Sequence, residues 1–201
     1  MSSVTTYKPS PGEIKRLRDD TGAGMLDCRA ALLKANGAYD VAKKDLVDQG
    51  VSKVAKKADR AANEGLVGSY IHIGGKIGVL VEINCETDFV ARNERFAELV
   101  RDVAMHVAAM PVKYLSRDQV PEAELVPLRE EFAKAAEGKP SNIVERIVEG
   151  KLNKWYEENV LLDQPFIKQD DQTIAELVGQ VVGVLGENIK IRRFAKFALG
   201  E

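Results

Sequence analysis

The sequence predicts an α+β protein, in which an N-terminal group of helices precedes a small antiparallel sheet packed against further helices. Glycines divide the first fifty residues into three short segments whose apolar residues have helical spacing. Residues 66–85 then change to the alternation of apolar and polar side chains that is typical of strands. Helical spacing returns after residue 93. Runs of strands and helices that are separated along the chain favour the α+β class.

The first helix is predicted to begin at the segment SPGEI. Ser10 can cap it, Pro11 is tolerated at the first helical position, and Glu13 suits the positive end of the helix dipole. Ile14 and Leu17 give this helix an apolar stripe. The glycines of TGAG, residues 21–24, are predicted to end it. An anion could bind where the next helix begins, but a tight turn explains both glycines and is the preferred interpretation.

Two more helices are predicted before residue 55. Gly37 is predicted to end the second and Gly50 the third. The side chains expected to be buried are Met25, Cys28, Leu32 and Ala35 in the second, and Val41, Leu46 and Val47 in the third. The Ala-rich segment that follows is predicted to be a helical or flexible connector. The predicted division is therefore a three-helix domain at 1–54, a connector at 55–64 and a core domain at 65–201.

The strand pattern predicts a β-hairpin, because Gly74-Gly75 separates two alternating runs. The first run is expected to direct one set of odd-numbered side chains to the core, Val67, Ile71 and Ile73, which would leave Tyr70 and His72 facing solvent. The second run is expected to bury Val79, Val81, Ile83 and Cys85.

The rest of the chain is predicted to be helical except at its end. The segment after Asn93 carries a stripe at spacings of three and four: Phe96, Leu99, Val100, Val103 and Val107. Further helices are expected after Pro121, after Pro140 and across QTIAELVGQVV. The segment NIKIRRFAKFALG is predicted to be a strand that pairs with the hairpin.

Composition excludes several function classes. The 29 basic and 31 acidic residues give a net charge of −2, which disfavours a general nucleic-acid binder. No apolar run approaches the ~20 residues of a membrane span, and the N-terminal residues lack the apolar region of a signal peptide. Two cysteines 57 positions apart fit a reducing compartment. These features predict a cytoplasmic protein with no membrane partner.

The residues offer few parts for covalent chemistry. His72 and His106 show no metal or triad pattern, and His106 is predicted to be a half-exposed structural residue. Cys28 and Cys85 are expected to be core residues. Lys190, Arg192, Arg193 and Lys196 are interpreted as a solvated strand face. We therefore predict no catalytic group, no cofactor and no metal site.

One short segment, Thr87-Asp88-Phe89-Val90, stands where the second strand gives way to a helix. Considered locally, Asp88 is expected to cap a turn and Phe89 to pack beneath the following helix. The alternative is that both residues are presented to a partner. The local pattern favours the core interpretation and leaves the alternative open.

Several long segments together resemble one family, the bacterial-type translation elongation factor Ts. They occur in the family's order and cover nearly the whole chain: IKRLRDDTGAGMLDCRAALLKANGAYDVAKKDL, GSYIHIGGKIGVLVEINCETDFVARNERF, AMHVAA, IVEGKLNKWYEE, LLDQPFIK and GENIKIRRF. The resemblance implies an N-terminal domain similar to ubiquitin-associated domains. It also implies a guanine-nucleotide exchange factor that binds elongation factor Tu, promotes GDP release and performs no covalent chemistry.

The resemblance also implies a set of partner-binding residues, and it reverses the local interpretation of Phe89. Asp88 and Phe89 match the aspartate and phenylalanine that contact the GTPase domain, where the phenylalanine disturbs the magnesium and phosphate-binding region. The remaining positions that match contacts, some from the N-terminal domain and some from the core, are Thr87, Val90, Lys15, Leu17, Arg18, Met25, Leu26, His72 and Leu185.

This chain has a single core module, whereas longer members of the family carry a second, related half. Short members are expected to compensate by forming homodimers, so a homodimer is predicted here. Two other functions can be framed from the residues alone. One is a scaffold that uses only the three-helix domain, and the other is an RNA-binding accessory factor that uses the basic residues. The near-balanced charge disfavours the second.

Overall fold

The computed structural model describes residues 7–200 and mixes helices with strands. The α-helices are α1 (Pro11–Thr21), α2 (Met25–Lys34), α3 (Tyr39–Lys57), α4 (Asp88–Ala91), α5 (Glu94–Ala109), α6 (Glu122–Lys134), α7 (Ser141–Asn159) and α8 (Ile174–Leu185). The strands are β1 (Glu64–Ile71), β2 (Ile77–Cys85), β3 (Pro165–Phe166), β4 (Gln169–Thr173) and β5 (Lys190–Ala198). Short 3₁₀ turns lie at Arg117–Gln119 and Leu161–Asp163. The predicted α+β class is confirmed.

The chain divides into two compact units that are discontinuous in sequence. The first unit takes the residues up to Gly68, Val81–Asp102 and Ala175–Arg192. The second takes Ser69–Leu80, Val103–Ile174 and the residues from Arg193 onward. The similarity of the N-terminal helices to a ubiquitin-associated domain, and the division at residues 54 and 65, stay predictions.

The start of α1 follows its local sequence. The Ser10 hydroxyl oxygen accepts from the Glu13 backbone N–H, and the Glu13 carboxylate accepts from the Ser10 N–H at 2.8 Å. This reciprocal capping box confirms the predicted start. At the other end Gly22 has φ +67°, a left-handed conformation that glycine adopts without strain, so the preferred turn is the one observed.

The first three helices enclose an apolar cluster in the first unit. Its buried members are Ile14, Leu17, Cys28, Ala31, Leu32, Ala42 and Leu46. Met25 and Val41 were predicted to be buried, and this is wrong: their side chains expose 43% and 59% of their surface. Ala42 takes the inward position on α3, since it lies four residues before Leu46 on the same helix face.

Gly50 does not end α3, contrary to the prediction. The helix continues to Lys57, so the predicted boundary at residue 54 lies inside it. A Cβ atom at Gly50 would stand 3.0 Å from the carbonyl oxygen of Gly179 in α8. The glycine therefore permits two helix backbones to approach closely, and it does not supply a stop signal.

The main sheet has the strand order β1-β2-β5, so the final strand pairs with the hairpin as predicted. β2 buries Val79, Val81, Ile83 and Cys85, which confirms its assignment. A separate two-stranded sheet, β3-β4, was not predicted.

The predicted orientation of β1 is wrong. Ile71 and Ile73 expose 65% and 93% of their surface, whereas Tyr70 is half-buried. The even-numbered face of this strand turns inward at Gly68, where a Cβ atom would stand 2.2 Å from a methyl carbon of Val100 in α5. Only glycine fits that approach, so the neighbouring helix decides which face is buried.

The second unit contains its own apolar cluster around α6 and α7. Val120, Leu125, Tyr156 and Val160 are buried there, with Tyr114, Leu152 and Trp155 packed against them. His106 also lies in this unit and is fully buried, so its prediction as half-exposed is wrong. Within residues 7–200, none of the helices is both long enough and apolar enough to span a bilayer.

Candidate functional site

The segment Thr87–Val90 forms the first part of a single helical turn at the end of β2. Cys85 is the last buried residue of the strand, and Thr87 is the N-cap of α4. The Thr87 hydroxyl oxygen accepts a hydrogen bond from the Val90 N–H at 3.4 Å. Ala91, the last residue of the turn, is buried. The turn is therefore fixed at both ends, by the cap at Thr87 and by the burial of Ala91.

The Phe89 side chain is highly exposed, with 80% of its surface accessible to solvent. The local interpretation, in which Phe89 packs beneath the following helix, is wrong. Phe96, on α5, is the phenylalanine that is completely buried. The helical turn directs Ala91 inward, and this leaves Phe89 on the outer side.

Asp88 was expected from the local pattern to cap the turn, but Thr87 has that role. Asp88 is the first residue of α4, where a carboxylate is favoured by the helix dipole. Its side chain forms an ion pair with Arg92 at 3.0 Å; Arg92 is largely exposed and Asp88 about half-exposed. Asp88 and Phe89 are therefore neighbouring, solvent-facing side chains, one acidic and one aromatic.

Residues that the sequence reasoning missed hold this turn from the other end of the chain. Glu187, in the segment between α8 and β5, accepts hydrogen bonds from the backbone N–H groups of Glu86 and Thr87, each at 3.0 Å. Its second carboxylate oxygen accepts from the Thr87 hydroxyl at 2.6 Å. Glu187 lies in the matched motif GENI, but no local pattern signals a contact about a hundred residues away.

A second set of hydrogen bonds runs in the opposite direction. The Glu86 carboxylate accepts from the Asn188 N–H at 2.6 Å and pairs with Arg60 at 3.4 Å. The Asn188 side-chain amide donates to the Arg60 carbonyl oxygen at 2.8 Å. We call Glu86, Thr87, Glu187 and Asn188 the carboxylate cluster. It joins the end of β2 to the start of β5.

The predicted contact residues of the N-terminal helices differ in exposure. Lys15 and Arg18 are exposed on α1, and Leu26 exposes 79% of its side chain at the start of α2. Met25 is beside it and partly exposed. Leu17 is completely buried in the apolar cluster of the first unit, so it supports the surface from beneath.

The last two predicted contact residues belong to different units. His72 follows β1 in the second unit and is exposed; the Tyr70 hydroxyl lies 3.2 Å from its Nδ1 atom. Leu185 is the half-buried last residue of α8, in the first unit. The structure therefore groups Thr87 to Val90 tightly and places His72 in a different unit.

The Cys85 thiol, at the end of β2 beside this turn, is held in its protonated form. Burial, followed by the negative charge of Glu187, raises the pKa of the Cys85 thiol to about 11, so the thiol stays protonated and unreactive at neutral pH. The described part of the chain contains no group of three or more His, Cys, Asp or Glu side chains that could hold a metal ion.

Comparison with known sequences identifies the family. A family model described as Elongation factor TS matches residues 49–201, which is more than half of the chain. The chain belongs to the elongation factor Ts family. This membership assigns it to translation elongation in protein biosynthesis, and it confirms the resemblance that the motifs predicted.

Individual elongation factor Ts proteins agree with the family match. The protein of Geobacter sulfurreducens is 51% identical over 192 residues, which cover 94% of this chain and 88% of that one. The protein of Thermoanaerobacter sp. strain X514 is 51% identical over 190 residues, covering 94% and 93%. That of Caldanaerobacter subterraneus is 50% identical, covering 94% and 95%. Since 94% of the chain is covered, these alignments extend across the N-terminal helices as well as the core.

Proposed function

We propose that this protein is a guanine-nucleotide exchange factor that binds elongation factor Tu in the cytoplasm and promotes GDP release. The observation that carries the proposal is the exposure of Phe89, 80% accessible on a one-turn helix in a member of the elongation factor Ts family. Because this apolar ring is not buried within its own chain, its burial against a partner would contribute free energy to binding.

Exchange by this route needs no covalent step. Asp88 and Phe89 enter the GTPase domain of the partner and disturb the region that holds magnesium and the phosphates. Because coupling between two ligands is reciprocal, a protein that weakens GDP binding is itself bound more weakly when GDP is present. GTP can then displace the factor unchanged. Burial of one Phe side chain contributes about 1.5–3 kcal/mol, so Phe89 alone accounts for roughly a tenfold to hundredfold effect.

A second contact adds to the binding energy. The N-terminal helices offer Lys15 and Arg18 as charged contacts and Leu26 and Met25 as apolar ones, with Leu17 supporting them from the core. His72 and Leu185 supply contacts from the remainder of the chain, and Thr87 and Val90 complete the turn that carries Phe89. Several separate contacts are needed because no single side chain supplies a large shift.

The proposal includes a homodimer formed through an open face of the sheet. Leu80 lies opposite the buried Val79 and Val81 and exposes 49% of its surface. Ile71 shares this face, since its Cδ1 atom lies 3.1 Å from the position a Cβ on Gly78 would take. Phe197 and Leu199 are 71% and 81% exposed on the neighbouring strand and its end. A second copy would cover this apolar face, which a single three-stranded sheet leaves in water.

The exchange proposal is tested by the release of fluorescent GDP from elongation factor Tu. We expect the protein at micromolar concentration to accelerate release, and Phe89→Ala to reduce that acceleration about tenfold to a hundredfold. Thermal unfolding of Phe89→Ala should match the wild type closely, because the ring makes few contacts within the chain.

Val126→Ala is the matched control, since it also removes an exposed apolar side chain, 42% accessible on α6, outside the proposed contacts. Its exchange activity should equal that of the wild type. Absence of any acceleration by the wild-type protein would refute the exchange function. A large loss of thermal stability in Phe89→Ala would show instead that the residue belongs to the core.

A further inference from the structure

The Glu187 carboxylate gathers three donors from one short stretch of chain. Two are the backbone N–H groups of Glu86 and Thr87, and the third is the Thr87 hydroxyl. Hydrogen bonds to an ionised acceptor are stronger than those between neutral groups. The backbone immediately before α4 is therefore held by one side chain that is distant in sequence.

The same contact controls how Thr87 caps α4. A threonine hydroxyl has one hydrogen to donate and two lone pairs that accept. Its hydrogen is directed to Glu187 at 2.6 Å, so a lone pair is left to accept from the Val90 N–H at 3.4 Å. The carboxylate thus orients the hydroxyl in the direction that the cap requires.

Little else fixes the orientation of α4. A helix of four residues is too short to be stable by its own hydrogen bonds, since nucleation is unfavourable. Phe89 contributes no packing, because it is 80% exposed. The ion pair of Asp88 with Arg92 is exposed to water and adds little. What remains besides Glu187 is the buried Ala91 and the Cys85 thiol, which donates to the Thr87 carbonyl oxygen at 3.2 Å.

We propose that Glu187 is the positioning residue of the exchange site: through Thr87 it preorganises α4 so that Phe89 is presented to the partner in one orientation. The inference rests on the proposed exchange function. A side chain that is already fixed loses less conformational freedom on binding, so preorganisation raises the affinity of the turn without adding a contact. Glu86 and Asn188 strengthen the same junction through their reciprocal hydrogen bonds.

The first test examines the free protein and needs no partner. Glu187→Gln keeps the side-chain volume, but its NH₂ group cannot accept from the donors that the carboxylate holds. Amide hydrogen exchange is expected to become at least about tenfold faster at Thr87 and Val90, while the amides of β2 keep their protection. Glu98→Gln is the matched control, since Glu98 forms only an exposed ion pair with Arg95 on α5.

Thr87→Val offers a second variant should Glu187→Gln fold poorly. It keeps the branched shape and removes the hydroxyl, so exposure of the Val90 amide should increase while the carboxylate still holds the backbone of Glu86. Unchanged protection of Val90 in both variants would overturn the positioning role.

The second test links Glu187 to Phe89 through the release of fluorescent GDP. Glu187→Gln is expected to raise the concentration of factor that gives half-maximal acceleration about tenfold, because the turn must be ordered on binding. In a Phe89→Ala background the same substitution should have no further effect, since the residue that it positions is gone.

The outcomes separate the inference from the function on which it rests. If the wild type accelerates release and Glu187→Gln costs as much in the Phe89→Ala background as alone, Glu187 does not act through Phe89 and the inference fails. If the wild type does not accelerate release, the exchange function fails, and the role of Glu187 at an exchange site fails with it. Glu98→Gln should leave both measurements unchanged.

Discussion

At the scale of single residues, His106 shows how hydrogen bonds determine a protonation state. The Ile167 N–H donates to its Nδ1 atom at 3.3 Å, so Nδ1 carries no hydrogen. Nε2 must then be the protonated nitrogen, and it donates to the Gln164 side-chain oxygen at 2.9 Å. The Gln164 amide in turn donates to the carbonyl oxygens of Pro111 and Glu158. Every polar atom of this buried pair has a partner when the histidine is neutral.

This arrangement predicts a loss of stability at acidic pH. Burial lowers the pKa of His106 below its usual value near 6.5, although the hydrogen bond with Gln164 opposes that shift. Below a pH of about 6.5, His106 therefore binds a proton in the unfolded chain but stays neutral in the folded chain. The contribution of the neutral ring to the free energy of unfolding is complete above that pH and is lost as the pH falls towards the lowered pKa.

Chemical denaturation between pH 7.5 and pH 5 measures this effect. We expect the free energy of unfolding to fall more steeply with decreasing pH in the wild type than in His106→Gln, which has no group titrating there. His72 is present in both proteins and cancels from the comparison. Parallel pH dependences would contradict the assignment.

At the scale of elements, the crossing of α3 and α8 depends on two glycines. A Cβ atom at Gly179 would stand 2.9 Å from the backbone nitrogen of Val51, and one at Gly50 would stand 3.0 Å from the Gly179 carbonyl oxygen. Neither contact can relax by a side-chain rotation, because both involve backbone atoms. The two helices can therefore approach at this depth only with glycine at the crossing.

Substitution of Gly50 by Ala is predicted to destabilise the protein, although alanine favours helix. Overpacking costs about 1–3 kcal/mol, and contact with rigid backbone atoms places the cost towards the upper end of this range, so the gain in helix propensity of about 1 kcal/mol offsets only part of it. Gly150→Ala is the matched control, since Gly150 lies inside α7 with no atom within 4 Å of the added methyl group. Urea denaturation should show the control to be more stable by about 0.5–1 kcal/mol. Equal stabilisation by both substitutions would disprove the close crossing.

Elements whose cause is local could be predicted from the sequence, and those with a distant cause could not. The cap of α1 needs only Ser10 and Glu13, and the burial of β2 follows from its alternation. From local sequence, Gly50 is interpreted as a helix stop. Its actual role depends on α8, about 130 residues later, which packs against it. β1 carries apolar side chains on both faces, so Val100 decides which face turns inward. Glu187 gives no local signal because its donors lie at the end of another strand.

At the scale of the whole molecule, the open sheet face predicts self-association. Ile71, Phe197 and Leu199 are largely exposed, Leu80 is half-exposed, and all four belong to one compact unit. Sedimentation equilibrium at micromolar concentration is expected to give the mass of a dimer. Phe197→Asp should shift the equilibrium towards monomer without loss of helix content, because its side chain is 71% exposed in one copy. A wild-type protein that stays monomeric throughout this range would rule out the proposed dimer.

The long motifs of the whole chain indicated the family, whereas no single residue did. Considered alone, Phe89 resembles an ordinary core aromatic after a strand. Its exposure follows from the turn that Thr87 caps, and Glu187 forms hydrogen bonds with Thr87 from about a hundred residues away. Only long motifs in a fixed order identified the family in advance, because exchange requires no arrangement of reactive groups that a short pattern could reveal.

The apolar cluster of α6 and α7 has one more consequence, which is spectroscopic. The chain contains a single tryptophan, Trp155, and it packs beside Tyr114 and Tyr156 in that cluster. The cluster of the first three helices has tyrosines but no tryptophan. Emission excited at wavelengths that only indole absorbs therefore reports the surroundings of α7 alone, whereas far-ultraviolet circular dichroism reports all the helices together. Trp155 fluorescence therefore follows the packing of the α6 and α7 cluster separately from that of the N-terminal helices.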